Sequence, residues 1–108
     1  MTSLATPAEI IAIVGEWAGL SRDELMARRR TRLLAQMRGV AMYLMRQHVA
    51  VGNQPLGFAA IGGHFGLDHS TVIYWCDHIA ARCQARPAYR AALDRLVARI
   101  NDERGCAA

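Results

Sequence analysis

The 108-residue sequence contains no lysine, and all 13 of its positive charges are arginines. A Gly-rich phosphate-binding loop ends in Lys-Ser or Lys-Thr, so no such loop is present and no nucleotide is expected as a ligand. No apolar run approaches the roughly 18 residues that a membrane span needs, and no charged-then-apolar leader opens the chain. We therefore expect a cytoplasmic protein that has no membrane partner.

The sequence also lacks a Cys-x-x-Cys pair among its three cysteines, Cys76, Cys83 and Cys106. Cys76 and Cys83 are seven residues apart and share one helix face, which predicts reduced core residues. A zinc site of Cys76, His78 and Cys83 is the sharper alternative, but positions 76 and 78 point about 200° apart on a helix. We expect neither a metal nor another cofactor.

Catalysis has little support in the residues. Pairing Cys76 with His69 or His78 supplies a nucleophile and a base, but Cys76 lies in an apolar stripe, where a thiolate is disfavoured. No two carboxylates share a helix face near a histidine in a way that indicates a cleft. The chain is not expected to be an enzyme.

Positive charge is concentrated in one part of the chain. Seven arginines lie between Arg22 and Arg46 against only Asp23 and Glu24, a local charge of +5, whereas the remaining residues sum to −1. Such a patch suits a phosphate backbone better than a general solubility role, with a solvated helix face as the plainer alternative. The length and the hydrophobic content of 53% indicate a single domain over residues 1–108, with a core at 7–103 and a frayed tail at 104–108.

Apolar spacing predicts helices in the first half of the chain, with no competing strand pattern. Two capping boxes, at residues 6–9 and 21–24, open a first helix at about 7 to 18 and a short second one. The side chains expected to be buried are Ile10, Val14 and Trp17 in the first helix, and Leu33, Met37, Val40 and Leu44 in a long third helix ending near Val49.

The second half continues this pattern after a loop predicted at residues 51–55. A fourth helix is expected from about 57 to 64, and Gly66 then turns the chain while Asp68 caps the next helix. Apolar stripes predict the buried faces of the last two helices: Val72, Cys76, Ile79 and Cys83, then Tyr89, Leu93, Leu96 and Ile100. The predicted fold class is all-α, a bundle of about five helices containing a helix-turn-helix.

Residues 61–79 say most about function. They consist of a helix, a glycine turn and a second helix that begins with short polar side chains and an imidazole, the part of a helix-turn-helix that meets base edges. The string Phe65-Gly66-Leu67-Asp68-His69-Ser70-Thr71-Val72, preceded by Ile61-Gly62, resembles the C-terminal DNA-binding domain of the bacterial replication initiator DnaA. That family carries Ile-Gly, two variable residues, then Phe-Gly-Gly-Arg-Asp-His, Ser or Thr, and Thr-Val.

The resemblance extends upstream and covers about residues 9–79. The basic segment from Arg28 to Arg32, followed by Arg38 and residues 41–44, is similar to the family's basic loop and the long helix after it. The chain is expected to be a stand-alone domain of this type rather than the initiator ATPase, because it has no lysine for a nucleotide-binding loop.

The resemblance implies a set of DNA contacts. Four residues fall on the recognition-helix positions that read bases in the major groove: Asp68, His69, Ser70 and Thr71. The plainer alternative is that Asp68 only caps the helix, Ser70 contacts phosphate and His69 is simply exposed. Tyr74 is expected to touch a phosphate oxygen, with a place at the edge of the core as the alternative.

The basic segment is expected to contact the DNA beside the recognition helix. Arg30 falls on the position of the family's loop arginine that enters the minor groove. The surrounding arginines look like clamps on the phosphate backbone, which fix register without reading sequence: Arg28, Arg29, Arg32 and Arg38.

Several residues depart from the family's pattern. The turn is one glycine shorter, and Leu67 stands where the family has arginine. Gly39 replaces a common glutamine, and Trp75, Asp77 and His78 occupy positions where the family prefers a small residue and then basic ones. Fewer phosphate contacts are therefore expected near Asp77.

These observations together predict a nucleoid-associated protein that binds double-stranded DNA sequence-specifically as a bacterial or prophage transcriptional regulator. A similar architecture occurs in activators of gene transfer agents, where a DnaA-like half works with a sigma-factor-like half. RNA polymerase or a sigma-like protein is therefore the candidate protein partner. The alternative is an interaction module of the replication or transcription machinery with weak DNA contact. Its exposed patch would contain Phe58, Tyr74 and Trp75, although core packing is the plainer explanation of these aromatics.

Overall fold

The computed structural model describes residues 6–27 and 31–105, with side chains described up to Ile100. These residues form six α-helices and one short hairpin, which confirms the all-α helix-turn-helix prediction. In chain order the elements are α1 (Pro7–Ala18), α2 (Arg22–Met26), α3 (Arg32–His48), β1 (Ala50–Val51), β2 (Gln54–Pro55), α4 (Phe58–Phe65), α5 (His69–Ala85) and α6 (Pro87–Gly105).

The first two helices begin where their capping residues place them. Thr6 Oγ1 accepts a hydrogen bond from the Glu9 amide at 3.2 Å, and Glu9 Oε1 accepts one from the Thr6 amide at 2.9 Å. The same reciprocal pair, at 3.0 Å each way, joins Ser21 and Glu24 at the start of α2. These bonds satisfy amides that have no partner within the helix, and so both predicted capping boxes are confirmed.

The long helix α3 lies at the centre of the bundle and packs against α1, α4 and α5. Its buried face is wider than one stripe because three helices cover it: Leu34, Gly39, Val40, Ala41, Met42, Leu44 and Met45 are buried. The prediction for Leu33 is wrong, since its side chain is 51% exposed while that of Leu34 is 7% exposed. Leu33 lies in the first turn of α3 and borders an open groove beside α2. Trp17, also expected in the core, is 39% exposed on α1.

The predicted loop at residues 51–55 contains a hairpin instead. Ala50 pairs with Pro55 and Val51 with Gln54 in antiparallel register. Gly52 has a φ of 64°, which lets the chain reverse between the two short strands. Sequence periodicity missed these strands because each is only two residues long.

The last two helices bury the residues that their spacing predicts. On α5 these are Val72, Cys76, Ile79 and Cys83, and on α6 Leu93, Leu96 and Ile100, with Tyr89 packed at the edge of the core. Because α5 packs on α3, α4 and α6 through this one face, its opposite face remains at the surface.

Candidate nucleic-acid interface

The turn between α4 and α5 has the geometry of a helix-turn-helix. Gly66 adopts a φ of 67°, and its amide donates to the Gly62 carbonyl at the end of α4. The Leu67 amide donates to the same carbonyl at 2.9 Å. Asp68 then caps α5, since its Oδ1 accepts a hydrogen bond from the Thr71 amide at 2.9 Å. This bond lowers the pKa of the Asp68 carboxyl, which keeps the cap ionised.

A close backbone approach fixes the angle between the two helices. A Cβ atom at Gly62 would collide with the carbonyl oxygen of Leu67, so only glycine allows the turn to lie this close to α4. Leu67 itself is partly buried and packs against the core. The adjacent Gly63 faces open space. The turn is therefore positioned by Gly62 and by the inward packing of Leu67.

The start of α5 presents most of its predicted base-reading residues to solvent. Asp68, His69 and Ser70 are exposed, and Thr71 is half-buried. Tyr74, one turn further along, is 60% exposed, so its predicted alternative at the core edge does not describe its position. The structure thus brings these residues to one surface, while the contacts that they make with DNA stay predictions.

A groove of 510 Å³ runs beside this surface, between the start of α3 and the middle of α5. The residues that line it from α3 and its cap are Thr31, Arg32, Ala35 and Gln36, and those from α5 are Tyr74, Trp75, His78 and Arg82. The predicted phosphate contacts Arg32 and Tyr74 therefore lie in one depression. Sequence reasoning missed His78 and Arg82 as companions of Tyr74, although the spacing of four residues places all three on one helix face.

Aromatic contacts hold the groove wall in place. The Tyr74 ring stacks on His78 with centroids 5.9 Å apart and an interplanar angle of 11°. Trp75 meets both rings edge-on, at centroid distances of 5.4 Å to each. A Cβ atom at Gly39 would lie 2.5 Å from Cε3 of Trp75, so the indole lies directly over a glycine of α3. The two departures from the family's pattern at Gly39 and Trp75 therefore compensate each other in size.

Arg38, predicted as a phosphate clamp, also bonds within the protein. Its Nε donates to the Leu25 carbonyl at 2.7 Å, and its Nη2 donates to the Ala27 carbonyl. Burial lowers the pKa of its guanidinium, as expected for a side chain drawn toward the protein. These bonds tie α3 to the end of α2, where the basic segment begins. These two bonds give Arg38 a positioning role, and its contact with phosphate stays a prediction. The predicted contacts Arg28, Arg29 and Arg30 lie outside the described residues.

The aromatic patch predicted for a protein partner is not formed. Phe58 and Trp75 are both partly buried and packed against the core. The Arg46 guanidinium covers the Phe58 ring at 4.1 Å from its centroid, and its Nη1 donates to the Leu56 carbonyl at 3.0 Å. Tyr74 is the one member of the patch that stays largely exposed.

The site offers little to metal or thiol chemistry in the parts of the chain that the structure describes. No three histidine, cysteine or acidic side chains there are close enough together to hold an ion. Cys76 is buried, and this burial raises the pKa of its thiol to about 11, so the thiolate is scarce at neutral pH. No helix among the described residues is both long and apolar enough to cross a bilayer.

The sequence is similar to known proteins over most of its length. The model of the family described as bacterial dnaA protein helix-turn-helix matches residues 7–79. The chain belongs to the DnaA helix-turn-helix family. It is 40% identical over 103 residues to the chromosomal replication initiator protein DnaA of Microcystis aeruginosa, covering 94% of this chain and 22% of that protein. The initiator of Nostoc punctiforme is 38% identical over 98 residues, covering 90% and 20% respectively.

Membership of the DnaA family identifies the α4–α5 unit as a DNA-binding helix-turn-helix. The chain spans about a fifth of the length of the relatives that it matches, and so it corresponds to one part of those proteins. The family match ends at residue 79, within α5. Arg82 and the whole of α6 lie beyond it.

Proposed function

We propose that the chain binds double-stranded DNA sequence-specifically and acts as a bacterial transcriptional regulator at the nucleoid. The observation that carries this proposal is the two-sided character of α5. One side buries four residues in the core, while the capped N-terminal end presents His69 and Ser70 to solvent beside a groove that contains Arg32. A helix that is held rigidly and exposes its first turn is suited to enter the major groove.

Base reading is assigned to the first turn of α5. His69 offers a ring nitrogen or carbon edge, and Thr71 a hydroxyl and a methyl, to the edges of the bases. Ser70 reads a base or a phosphate, and Asp68 keeps the helix start in place through its cap. Arg30 is assigned to the adjacent minor groove, with Arg28 and Arg29 on the backbone. Arg32 and Tyr74 lie where a neighbouring phosphate would pass.

Regulation of transcription is proposed because the capped start of α5 supplies the residues with which a helix-turn-helix recognises a DNA site. A bound helix-turn-helix can regulate by occupying a promoter or by recruiting RNA polymerase or a sigma-like protein. Chromatin immunoprecipitation with sequencing in the native host should place the protein upstream of genes. Enrichment confined to the replication origin would contradict the transcriptional role.

Sequence-specific binding is tested by selecting duplexes from a random pool and measuring affinity by fluorescence anisotropy. The logarithm of the association constant should fall with the logarithm of salt with a slope of about −3 to −5, because several arginines displace counterions. His69→Ala should cost about 1 to 3 kcal/mol at the selected site and relax one base position. Arg95→Ala, which removes an exposed arginine on α6, is the control for a general loss of positive charge and should keep the preference. A pool that yields no preferred site contradicts the proposal.

The preferred site is proposed to differ from the DNA box of the initiator. Leu67 stands where the family has an arginine, and its inward packing removes a hydrogen-bond donor from the turn. The turn is also one residue shorter, which changes the base edges that Asp68, His69 and Thr71 meet. Affinity for an initiator box should therefore be lower than for the selected site at one salt concentration. Equal affinity, or tight box binding that Leu67→Arg leaves unchanged, would point to a role in replication instead.

Protein interaction remains the second candidate because of one observation. A concavity of 530 Å³ beside α2 is lined by Leu20, Ala27, Leu33 and Leu34, with Asp23 and Glu24 at its edge. Leu33, half-exposed there, is the kind of apolar side chain that a partner covers. Leu33→Asp should leave DNA affinity within about twofold of wild type if this surface is separate from the DNA interface. A salt slope near zero for duplex DNA would favour protein interaction as the main role.

A further inference from the structure

The groove between α3 and α5 combines arginines from two separate helices. Arg32 is supplied by the first turn of α3 and Arg82 by α5, with His78 one turn before Arg82 on the same helix. No carboxylate belongs to the described residues that line it, and no ion pair joins Arg32 or Arg82 to another described residue. Such an arrangement is suited to an anionic ligand that lies between the helices.

Arg82 is held in position before any ligand arrives. Its guanidinium carbon lies 5.3 Å from the centroid of the Tyr89 ring on α6, and its side chain is half-buried. A guanidinium that is already supported on one face loses less conformational freedom when it binds a phosphate oxygen. The Tyr89 ring thus supports the Arg82 guanidinium at the far end of the groove.

Gly39 keeps the groove open. Because a Cβ atom there would collide with the indole of Trp75, glycine lets Trp75 lie low against α3 and form the floor of the groove. Any side chain at position 39 would push Trp75 outward into this space. Tyr74 and His78, which pack on the edges of Trp75, would shift with it.

We propose that this groove binds one phosphodiester of the DNA backbone, clamped between Arg32 and Arg82 above the Trp75 floor. The inference rests on the proposed function, which it deepens by adding a phosphate site. The family model matches residues 7–79, which include Arg32, Tyr74, Trp75 and His78 but not Arg82. A phosphate contact of this kind supports affinity and register without reading sequence.

Arg82→Gln tests the site in the full chain. Its affinity should fall about three- to tenfold, equally for the selected duplex and for random duplexes, and the salt slope should become shallower by about 1. The selected sequence should stay the same. Arg95→Gln on α6 is the matched control and should leave affinity and slope unchanged. Arg82→Lys, which keeps the charge, should retain most of the affinity.

Gly39→Ala tests the floor of the groove independently of Arg82. It should lower affinity for all duplexes without changing the selected sequence, because the displaced Trp75 would fill the groove. A thermal melt of each variant shows whether it is folded. Wild-type affinity and slope in Arg82→Gln, or wild-type affinity in a folded Gly39→Ala variant, would overturn the site. His69→Ala tests the proposed function separately from the phosphate site. If His69→Ala loses sequence preference while Arg82→Gln binds like wild type, the proposed function stands and only the phosphate site is wrong.

Discussion

Arg32 and Arg38 lie on the same helix, less than two turns apart, and have opposite roles. Arg38 points inward and donates to the Leu25 and Ala27 carbonyls, whereas Arg32 is exposed and lines the groove beside α5. Both belong to the basic segment that gives the chain its local charge. The contrast shows that arginines of one helix can differ in whether they bond within the protein or face solvent, and so their number alone does not count the side chains free to bind a ligand.

Two adjacent glycines of α4 also differ in whether they face the protein or the solvent. Gly62 is buried against the Leu67 carbonyl, and Gly63 faces open space. One glycine is required by the fold of the turn, and the other leaves room at the surface. Neighbouring residues of identical chemistry thus serve either the scaffold or the exposed face, and substitutions can separate the two.

The largest expected effect comes from replacing the inward arginine. Arg38→Met should lower the free energy of unfolding by about 3 kcal/mol, because charge-assisted bonds are lost and carbonyls at the end of α2 lose their partners. Arg32→Met should change stability by no more than about 0.5 kcal/mol while weakening DNA binding. Urea unfolding and fluorescence anisotropy measure the two quantities. Equal stability of the two variants would contradict the division of roles.

The glycine pair should give the next largest effect. Gly62→Ala should destabilise the fold by about 2 kcal/mol, since the new Cβ forces the Leu67 carbonyl away and moves the start of α5. Gly63→Ala should instead stabilise it by about 0.5 to 1 kcal/mol, because the site is open and alanine favours the helix. Thermal and urea unfolding test both. A Gly62→Ala protein that keeps wild-type stability and sequence preference would show that the close approach is not needed.

Arg46 is a second arginine that bonds within the protein, and its expected contribution to stability is smaller than that of Arg38. Its bond to the Leu56 carbonyl and its position over the Phe58 ring link α3 to the hairpin and to α4. Arg46→Met should cost about 1.5 kcal/mol of stability. The selected DNA sequence should not change, because Arg46 belongs to the scaffold. Arg22→Met, at an exposed position of α2, is the control and should be nearly neutral. A variant that stays stable but loses DNA affinity would place Arg46 among the DNA contacts.

The sequence predicted the features that depend on local chemistry. Capping boxes at Thr6 and Ser21, the cap at Asp68 and the turn at Gly66 depend on a few adjacent residues, and each is present. The buried stripe of α5 followed from spacing alone, because one face of that helix meets the core.

The features that could not be predicted from the sequence depend on contacts between residues that are distant along the chain. The spacing of α3 fits either Leu33 or Leu34, and the choice follows from where α1, α2 and α5 cover the helix. Arg38 is bound to carbonyls more than ten residues away, and Trp75 lies over Gly39 from another helix. The phosphate groove likewise needs two helices to meet: the spacing of α5 places Arg82 on one face with Tyr74, but only the folded chain brings Arg32 beside them.

The smallest expected effect concerns the inward face of α5, where Cys76 lies opposite the exposed side of the helix. Burial raises the pKa of its thiol from 9.0 to about 11. Well below pH 9 the thiol is protonated in both the folded and the unfolded states, and stability is unaffected. As the pH rises toward 11 the unfolded chain loses this proton first, so the free energy of unfolding falls. The loss should be just under about 1 kcal/mol at pH 9.5. Urea unfolding at pH 7.5 and 9.5 measures this loss.

Cys76→Ala is the control: it lacks the thiol but keeps Tyr43 and Tyr89, whose raised pKa values act in the same direction. It should lose less stability than wild type over this interval, and an equal loss would mean that the thiol is ionised as easily in the folded protein as in the unfolded chain.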